Sequence, residues 1–408
     1  MRQDLDRLMR ERGLAGMVVF AYDRYSPAMH YATGQKLAFG VYFRAPDGRA
    51  HLVHDPMERD QAAAVGCDHS SFAQHNLNQL HEDEGSPARA YGRLIAQVCA
   101  SMNIEGPIGL FGDLPAGFAH ALIARMRELG PKLAVDTSNP DLLSIARTKK
   151  DAHEVRAIRH ASRGAVAAME HVIEFLGTLR VDGAQLYKRN HPQPVTLGDL
   201  RRMIQLDFIE HGLAEDGESI VSQGRDAGVP HNHGNDHEAL RPGTTLLIDI
   251  FPGEAGGGYH SDMTRTFCIG PAPEELKHLY RDVHDAFNRA MSGLELGQPC
   301  RKYQELVCDV FEERGHPTVR SMPGTEEGYC HGLGHGVGLS VHEAPRIGGP
   351  PSNKQVLEPG MVITIEPGLY YPSRGMGVRI EDLVYVREDG TFENLTPAPY
   401  DLEIHPRG

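Results

Sequence analysis

Two stretches of this 408-residue chain match each other: Pro242-Gly243-Thr-Thr-Leu-Leu-Ile-Asp249 and Pro359-Gly360-Met-Val-Ile-Thr-Ile-Glu366. Each is a Pro-Gly turn, five mostly apolar strand formers and then one carboxylate, which falls six residues after the glycine in both. A second Pro-Gly follows each (Pro252-Gly253 and Pro367-Gly368), then a glycine-containing excursion and a second acid in a strand-like context. Those acids are Asp262 in HSDMTRTF and Glu381 in VRIEDLVYV. The repeat predicts two related β-hairpins facing each other across one core, a pseudo-symmetric arrangement. A single buried carboxylate is ordinarily satisfied by backbone N–H groups or an arginine, because leaving it unpaired costs several kcal/mol. Two at matched positions, each followed by another acid, point instead to four carboxylates converging on something cationic. Two divalent ions would cancel their charge.

A fifth candidate ligand lies in His331-Gly-Leu-Gly-His335-Gly-Val-Gly-Leu-Ser-Val-His342-Glu343. The His331/His335 spacing would suit one helix turn, but glycines at 332, 334, 336 and 338 oppose a helix, and no Glu follows His331. The segment reads as a glycine-rich loop or strand that lets backbone approach a site closely. His231 in VPHN precedes Asp249 by 18 residues, whereas His233 and His237 read as loop composition. Asp, Glu and His donors without a thiolate favour manganese, cobalt or zinc.

Length and charge bound the remaining possibilities. At roughly 100–200 residues per domain, two or three domains are predicted. The net charge of −14 and the absence of a Lys/Arg cluster argue against nucleic acid and anionic membrane as partners. The opening MRQDLDRLMRERG alternates charges and lacks an apolar segment, so no secretory signal is expected. The six cysteines are scattered with no CxxC pair, which fits reduced thiols in a cytoplasm. There is no GxSxG elbow and no phosphate-binding GxxxxGK[ST] loop.

Periodicity predicts an α/β first domain: a helix over 3–12, a buried strand over 17–20, and strand-like pieces at 30–32, 37–43 and 50–54. Helices over 88–103 and 115–130 flank a strand at 108–111. Turn chemistry at 136–141 is followed by a long helix over about 151–176, with Val155, Ile158, Ala161, Ala165 and Ala168 on its buried face. The boundary falls at 148, giving domains 1–148 and 149–408.

These residues, in this order, resemble the "pita-bread" metallopeptidases, the family of methionine aminopeptidase, aminopeptidase P and prolidase. IDIFPG…YHSDMTRTF is similar to the family's Asp…Asp hairpin, HGLGHGVGLSVHE to its histidine loop, and TIEPGLYY and GVRIEDLVYV to its two glutamate strands. The resemblance is strong over 148–400. Over 1–147 it is looser and points to the prolidase and aminopeptidase P branch, with a creatinase-like N-terminal α/β domain. The implied metal ligands are Asp249, Asp262, His335, Glu366 and Glu381, with Asp262 and Glu381 bridging two ions. His231 and His342 match catalytic histidines beside the metals, and Arg379 and Tyr370 match residues lining the same site. Two features depart from the pattern. The Asp249-to-Asp262 spacing is two residues longer than usual, which enlarges the tip around Gly256–Gly258, and residues 182–200 look like an insertion.

The resemblance implies a binuclear peptidase that cleaves Xaa-Pro bonds, in dipeptides for preference. Manganese is the favoured metal, with cobalt or zinc as alternatives, and a cytoplasmic homodimer is the implied state. Glu366 is the implied general base, His342 or His231 the oxyanion stabiliser, and His231, His331, His342 and Arg379 the substrate contacts. Arg379 would hold the substrate's C-terminal carboxylate, and the glycines of the histidine loop would leave room for a proline ring. Alternatives are an aminopeptidase acting on longer peptides, a catalytically silent binding module of the same fold, and a mononuclear zinc hydrolase using His331 and His335.

Overall fold

The computed structural model describes residues 2–215, 217 and 219–407. They divide into two compact units, Met1–Arg147 and Thr148–Gly408. The first unit is built on a six-stranded mixed sheet in the order Asp68–Ser71, Ala50–His54, Phe39–Arg44, Gly16–Tyr22, Pro107–Phe111, Ala134–Val135. Helices Pro87–Ser101 and Ala116–Leu129 pack together where Gly92 has no side chain: a Cβ there would collide with the Leu122 carbonyl. One predicted strand is overturned. His30–Ala32 lies inside the helix Pro27–Thr33, because Ser26 caps its N-terminus, Pro27 opens its first turn and Gly34 closes it in the left-handed region at φ 75°. A three-residue strand-like piece is too short to outweigh those local end signals.

The second unit opens with the helix Ala152–Thr178, capped by a reciprocal Asp151/Glu154 box. Val155, Ile158, Ala161, Ala165 and Ala168 are all buried along it. Residues 182–200, which read as an insertion, form the second half of a small hairpin (Arg180–Asp182 with Gln185–Tyr187) and the start of the helix Leu197–Glu210.

Both acid-bearing repeats fold as antiparallel pairs. Thr245–Ile250 pairs with Met263–Ile269, placing Asp249 opposite Thr264. Val362–Ile365 pairs with Asp382–Val386, with Ile365 opposite Asp382. Each pair is covered by its own helices. The 152–178 and 197–210 helices bury Leu246, Ile248, Ile250 and Phe267. Helices Glu274–Ser292 and Arg301–Glu313 bury Ile363, Ile365 and Val384. Alternation then turns the polar strand residues the other way, toward the space between the halves.

Both excursions are hairpins. Pro252–Glu254 folds back on residues 259–261, with the Glu254 N–H on the Tyr259 carbonyl at 3.1 Å and the Ser261 N–H on the Pro252 carbonyl at 2.8 Å, and Gly256–Gly258 make its tip with positive φ throughout. Gly368–Tyr371 pairs in the same way with Met376–Arg379. Each also takes an outer partner, Leu213–Glu215 for the first and Gly328 for the second, so the pseudo-symmetry extends from the core strands to their connections.

A buried arginine fastens the seam between the halves. Arg265 donates to the carbonyls of Thr264, Glu381, Thr396, Ala398 and Pro399 and to Asp382 Oδ1 at 2.7 Å. With both partners fully buried, that ion pair is paired and hydrogen-bonded on all sides, the condition under which a buried charge is tolerated. Among the described residues, no helix is long and apolar enough to cross a membrane.

Candidate metal centre

The polar faces of the two halves meet at a group of acids. Asp262 immediately precedes the Met263–Ile269 strand, and Glu381 lies between the Met376–Arg379 and Asp382–Val386 strands. His335 is the middle residue of the short strand Gly334–Gly336. Ligand atoms of Asp262, His335 and Glu381 all lie within 4.8 Å of one another. Glu366 stands next to them, its Oε1 3.4 Å from His335 Nε2, while Asp262 Oδ2 is 3.7 Å from the same nitrogen.

The hydrogen-bonding roles of His335 decide what this arrangement can hold. Its Nδ1 faces the Gly336 carbonyl at 3.2 Å, an interaction that requires the proton on Nδ1. Nε2 then presents a lone pair to two carboxylates, acceptor facing acceptor. Burial first, and His342 second, lower the pKa of this imidazole to about 3, so it does not relieve the conflict by protonating. Burial, followed by repulsion from the other acids, raises Asp262 and Glu381 well above the usual carboxylate range. Glu366 is pushed up to about 8, chiefly by burial. Asp249 Oδ1 is buried without a hydrogen-bond partner. In the metal-free chain these shifts favour protonated acids; a bound cation would accept the His335 lone pair and the free Asp249 oxygen and let the buried acids stay ionised, and hard oxygen donors with one imidazole suit a divalent first-row ion. The mutual cluster comprises three residues, with Asp249 and Glu366 outside it.

The surrounding residues are held by hydrogen bonds that cross between the halves. The Thr264 hydroxyl donates to Glu381 Oε2 at 2.6 Å and accepts from Arg379 Nε at 3.0 Å. Arg379 continues to the Tyr370 hydroxyl at 2.8 Å and to Asp249 Oδ2 at 2.5 Å. Tyr370 in turn bonds His331 Nε2 at 2.9 Å. Arg379 is thus buried and turned onto the site's own groups. Its Nε, Nη1 and Nη2 each carry one bond within the site, so in this geometry Arg379 orders Asp249, Thr264 and Tyr370. His331 and His335 do not form a ligand pair, because His331 Nε2 is engaged by Tyr370; the mononuclear site built on those two rings has no support in this geometry.

The mouth is rimmed by imidazoles. His342 is exposed, and its ring centroid lies 4.4 Å from that of His335. His231 is exposed in the turn after Asp226–Gly228, and its charge adds to the burial that lowers the pKa of both His331 and His342.

The glycines of the histidine loop serve a purpose other than the one expected. Cβ atoms at Gly334, Gly336 and Gly338 would meet the Thr364 carbonyl, the Ala344 carbonyl and the Glu343 carboxylate. Their space belongs to neighbouring chain, not to a substrate ring. Only Gly332 of the four has no neighbour closer than 3.8 Å. Thr264, Arg265 and Thr364, whose Oγ1 accepts from the His335 backbone N–H at 3.1 Å, are positioning residues that the sequence pattern does not mark. A Thr or Arg within a run of strand formers carries no local mark of what lies across the sheet.

The sequence pattern of metallopeptidase family M24 matches residues 156–388, and the chain belongs to that family. It is similar to a probable dipeptidase, PepE, of Mycobacterium tuberculosis, at 33% identity over 266 residues, 65% of this chain and 63% of that one. It is also similar to an Xaa-Pro dipeptidase of Pyrococcus furiosus, at 36% identity over 185 residues, 45% of this chain and 49% of that one. The chain thus spans about 63% and 49% of those relatives' lengths. A solved structure of an Xaa-Pro dipeptidase from Bacillus anthracis superposes with a TM-score of 0.77 at 25% identity, covering 99% of each chain. The N-terminal creatinase-like α/β domain and the pita-bread domain are therefore the architecture of this protein.

Proposed function

We propose that this protein is a metal-dependent peptidase that hydrolyses Xaa-Pro bonds in small peptides with proline second, dipeptides above all. The observation that carries the reading is the meeting of Asp262, His335 and Glu381, with the His335 lone pair aimed at acid oxygens. In this reading two divalent ions, manganese for preference, would be held by Asp249, Asp262, His335, Glu366 and Glu381. The working domains are 1–148 and 149–408, and the protein acts in the cytoplasm as a homodimer.

The bound ions supply Lewis acidity and a water of lowered pKa. Glu366, which stands 3.4 Å from His335 Nε2 among the cluster acids, takes the proton that the attacking water loses and passes it to the leaving proline nitrogen. His342 and His231 at the mouth donate hydrogen bonds to the oxygen that becomes negative as the carbonyl is attacked. Tyr370 holds the His331 ring against the substrate, and Arg379 fixes the Asp249 carboxylate and the Tyr370 hydroxyl. The test is turnover of a panel of Xaa-Pro and Xaa-Pro-Yaa peptides with added manganese, cobalt or zinc. Turnover of neither class under any metal overturns the reading. Tripeptides cleaved faster than dipeptides favour the aminopeptidase alternative.

A further inference from the structure

A lysine is buried behind the histidine loop. Lys150 lies at the start of the second unit, and its backbone N–H donates to the Gly360 carbonyl at 2.7 Å, in the Pro-Gly turn ahead of the Val362–Ile365 strand. Its side chain is 1% exposed, and its ammonium lies 3.2 Å from Glu343 Oε2, a carboxylate itself only 6% exposed. Charges at this depth are tolerated as a pair, and removing either one strands the other. The neighbouring acid Glu154 has donors of its own, the Tyr259 hydroxyl at 2.7 Å and the Asp151 N–H at 2.8 Å.

Glu343 is the residue around which the next turn is folded. Strand Gly334–Gly336 pairs with Glu343–Ile347, and Gly336 faces Glu343 where the chain turns through 337–342. Glu343 Oε1 accepts from the Ser340 N–H at 3.0 Å, and the carboxylate lies within 2.8 Å of where a Gly338 Cβ would stand. Gly338 donates to the Ser340 carbonyl at 3.1 Å and accepts from the His260 N–H at 2.9 Å, which ties the turn to the segment leading into Asp262. The last residue of the turn is His342, whose ring centroid is 4.4 Å from that of His335. Among the described residues none hydrogen-bonds to the His342 ring, so the turn that carries it sets its place.

We infer that Lys150 is a positioning residue for His342: by neutralising the Glu343 carboxylate inside the turn, it keeps the turn closed and the His342 ring against His335. This rests on the peptidase reading above, in which His342 donates to the developing oxyanion. An ionised Glu343 with no cation beside it turns toward water, releases the Ser340 N–H and opens the turn. Lys150 touches neither substrate nor metal ligand in this account, so its loss acts on kcat and spares KM and metal content.

The experiment is a double-mutant cycle on manganese-loaded protein. It measures kcat and KM for an Xaa-Pro dipeptide in wild type, Lys150→Met, His342→Ala and the two combined, with elemental analysis of each and crystal structures of wild type and Lys150→Met. Lys150→Met is expected to lower kcat about 10- to 100-fold, the scale of a displacement near 1 Å at a catalytic group. In the His342→Ala background the same change should cost less than about 2-fold, because residues that act through one another are not additive. Lys150→Met combined with Glu343→Gln should recover most of kcat, since the amide oxygen still accepts from Ser340 and carries no charge. Equal losses in both backgrounds, no loss in Lys150→Met, loss of metal, or no recovery in the neutral pair overturns the inference. If Lys150→Met does not fold, the neutral pair decides: kcat near that of wild type supports the inference, and a lost kcat overturns it. If wild type cleaves no Xaa-Pro peptide, or His342→Ala keeps full kcat, the peptidase reading or the role of His342 fails. The ring position then decides alone, and a His342 ring still 4.4 Å from His335 in Lys150→Met overturns the inference.

Discussion

Thr264 and Glu381 are bonded three times. Their backbones exchange hydrogen bonds in both directions, at 3.4 and 3.1 Å, and the Thr264 hydroxyl donates to Glu381 Oε2 at 2.6 Å. One residue comes from each half of the pseudo-symmetric unit, so this contact closes the two halves and aims an acid of the cluster in a single step. The same hydroxyl accepts from Arg379, which makes Thr264 the point where the metal cluster and the arginine–tyrosine–histidine chain meet.

Thr264→Val keeps the shape and removes both side-chain bonds. Stability should fall by about 1–3 kcal/mol, the cost of leaving a buried partner unsatisfied. Affinity for manganese should fall about 10- to 100-fold, as for other residues that orient metal ligands. Thermal unfolding and metal titration of the variant check both, and unchanged metal affinity would show that Glu381 is aimed without it.

Wild-type protein should carry two divalent ions per chain, and Asp262→Ala or Glu381→Ala should remove both ions together with turnover. Elemental analysis alongside the peptide assay decides this. One ion in fully active wild type contradicts a shared pair.

His342→Ala and His231→Ala should keep the metals and lose turnover by about 2.7–4 kcal/mol in the barrier, if each stabilises the developing oxyanion. The measurement is kcat with metal content determined on the same sample. A variant that comes off the column without metal would mark its histidine as a ligand.

The stability of the metal-free protein should depend on pH in the direction opposite to that of a salt-bridged acid. Glu366 has its pKa raised from 4.5 to about 8 by burial, and Asp262 and Glu381 shift the same way. Below about pH 6.5 the buried His331 and His335, held neutral, act in the opposite sense, but between about pH 6.5 and 8 the folded chain holds protons that the unfolded chain has released, so stability falls as pH rises through that window. Metal requires the deprotonated acids, so the rise in Tm on adding manganese should grow over the same range. Unfolding curves with and without manganese at pH 6.5, 7.2 and 8 test the sign, and a metal-free Tm that climbs with pH over that range refutes it.

Arg265→Leu should destabilise the protein by about 3–5 kcal/mol, because it strands the Asp382 carboxylate in the core. The double change Arg265→Leu with Asp382→Asn should regain part of that loss. Urea unfolding of both variants is the measurement, and equal midpoints would mean that the carbonyl contacts of Arg265, rather than the ion pair, carry its effect.

Much of this architecture was legible in the chain because its signals are local or periodic. The paired Pro-Gly turns and terminal acids announced two matched strand pairs, and 3.6-residue spacing announced the buried face of the 152–178 helix. The glycine-rich frame of His335 was legible as extended chain, and the convergence of Asp262, His335 and Glu381 followed from the repeat together with the resemblance. The helix Pro27–Thr33 is legible only when Ser26, Pro27 and Gly34, which mark its two ends, are set against the strand-like residues 30–32.

Only the tertiary structure decided how the buried cations divide their work. Nothing local to residues 150 and 379 tells which of them meets Glu343 and which Asp249. Those partners depend on pairing between segments more than a hundred residues apart. The same is true of the glycines at 334, 336 and 338, whose space is filled by the Thr364 carbonyl, the Ala344 carbonyl and the Glu343 carboxylate. Hydrophobic period and turn chemistry act over a few residues and are written along the chain. The partner of a buried charge is set by which strand lies across from it, and that appears only when the halves close.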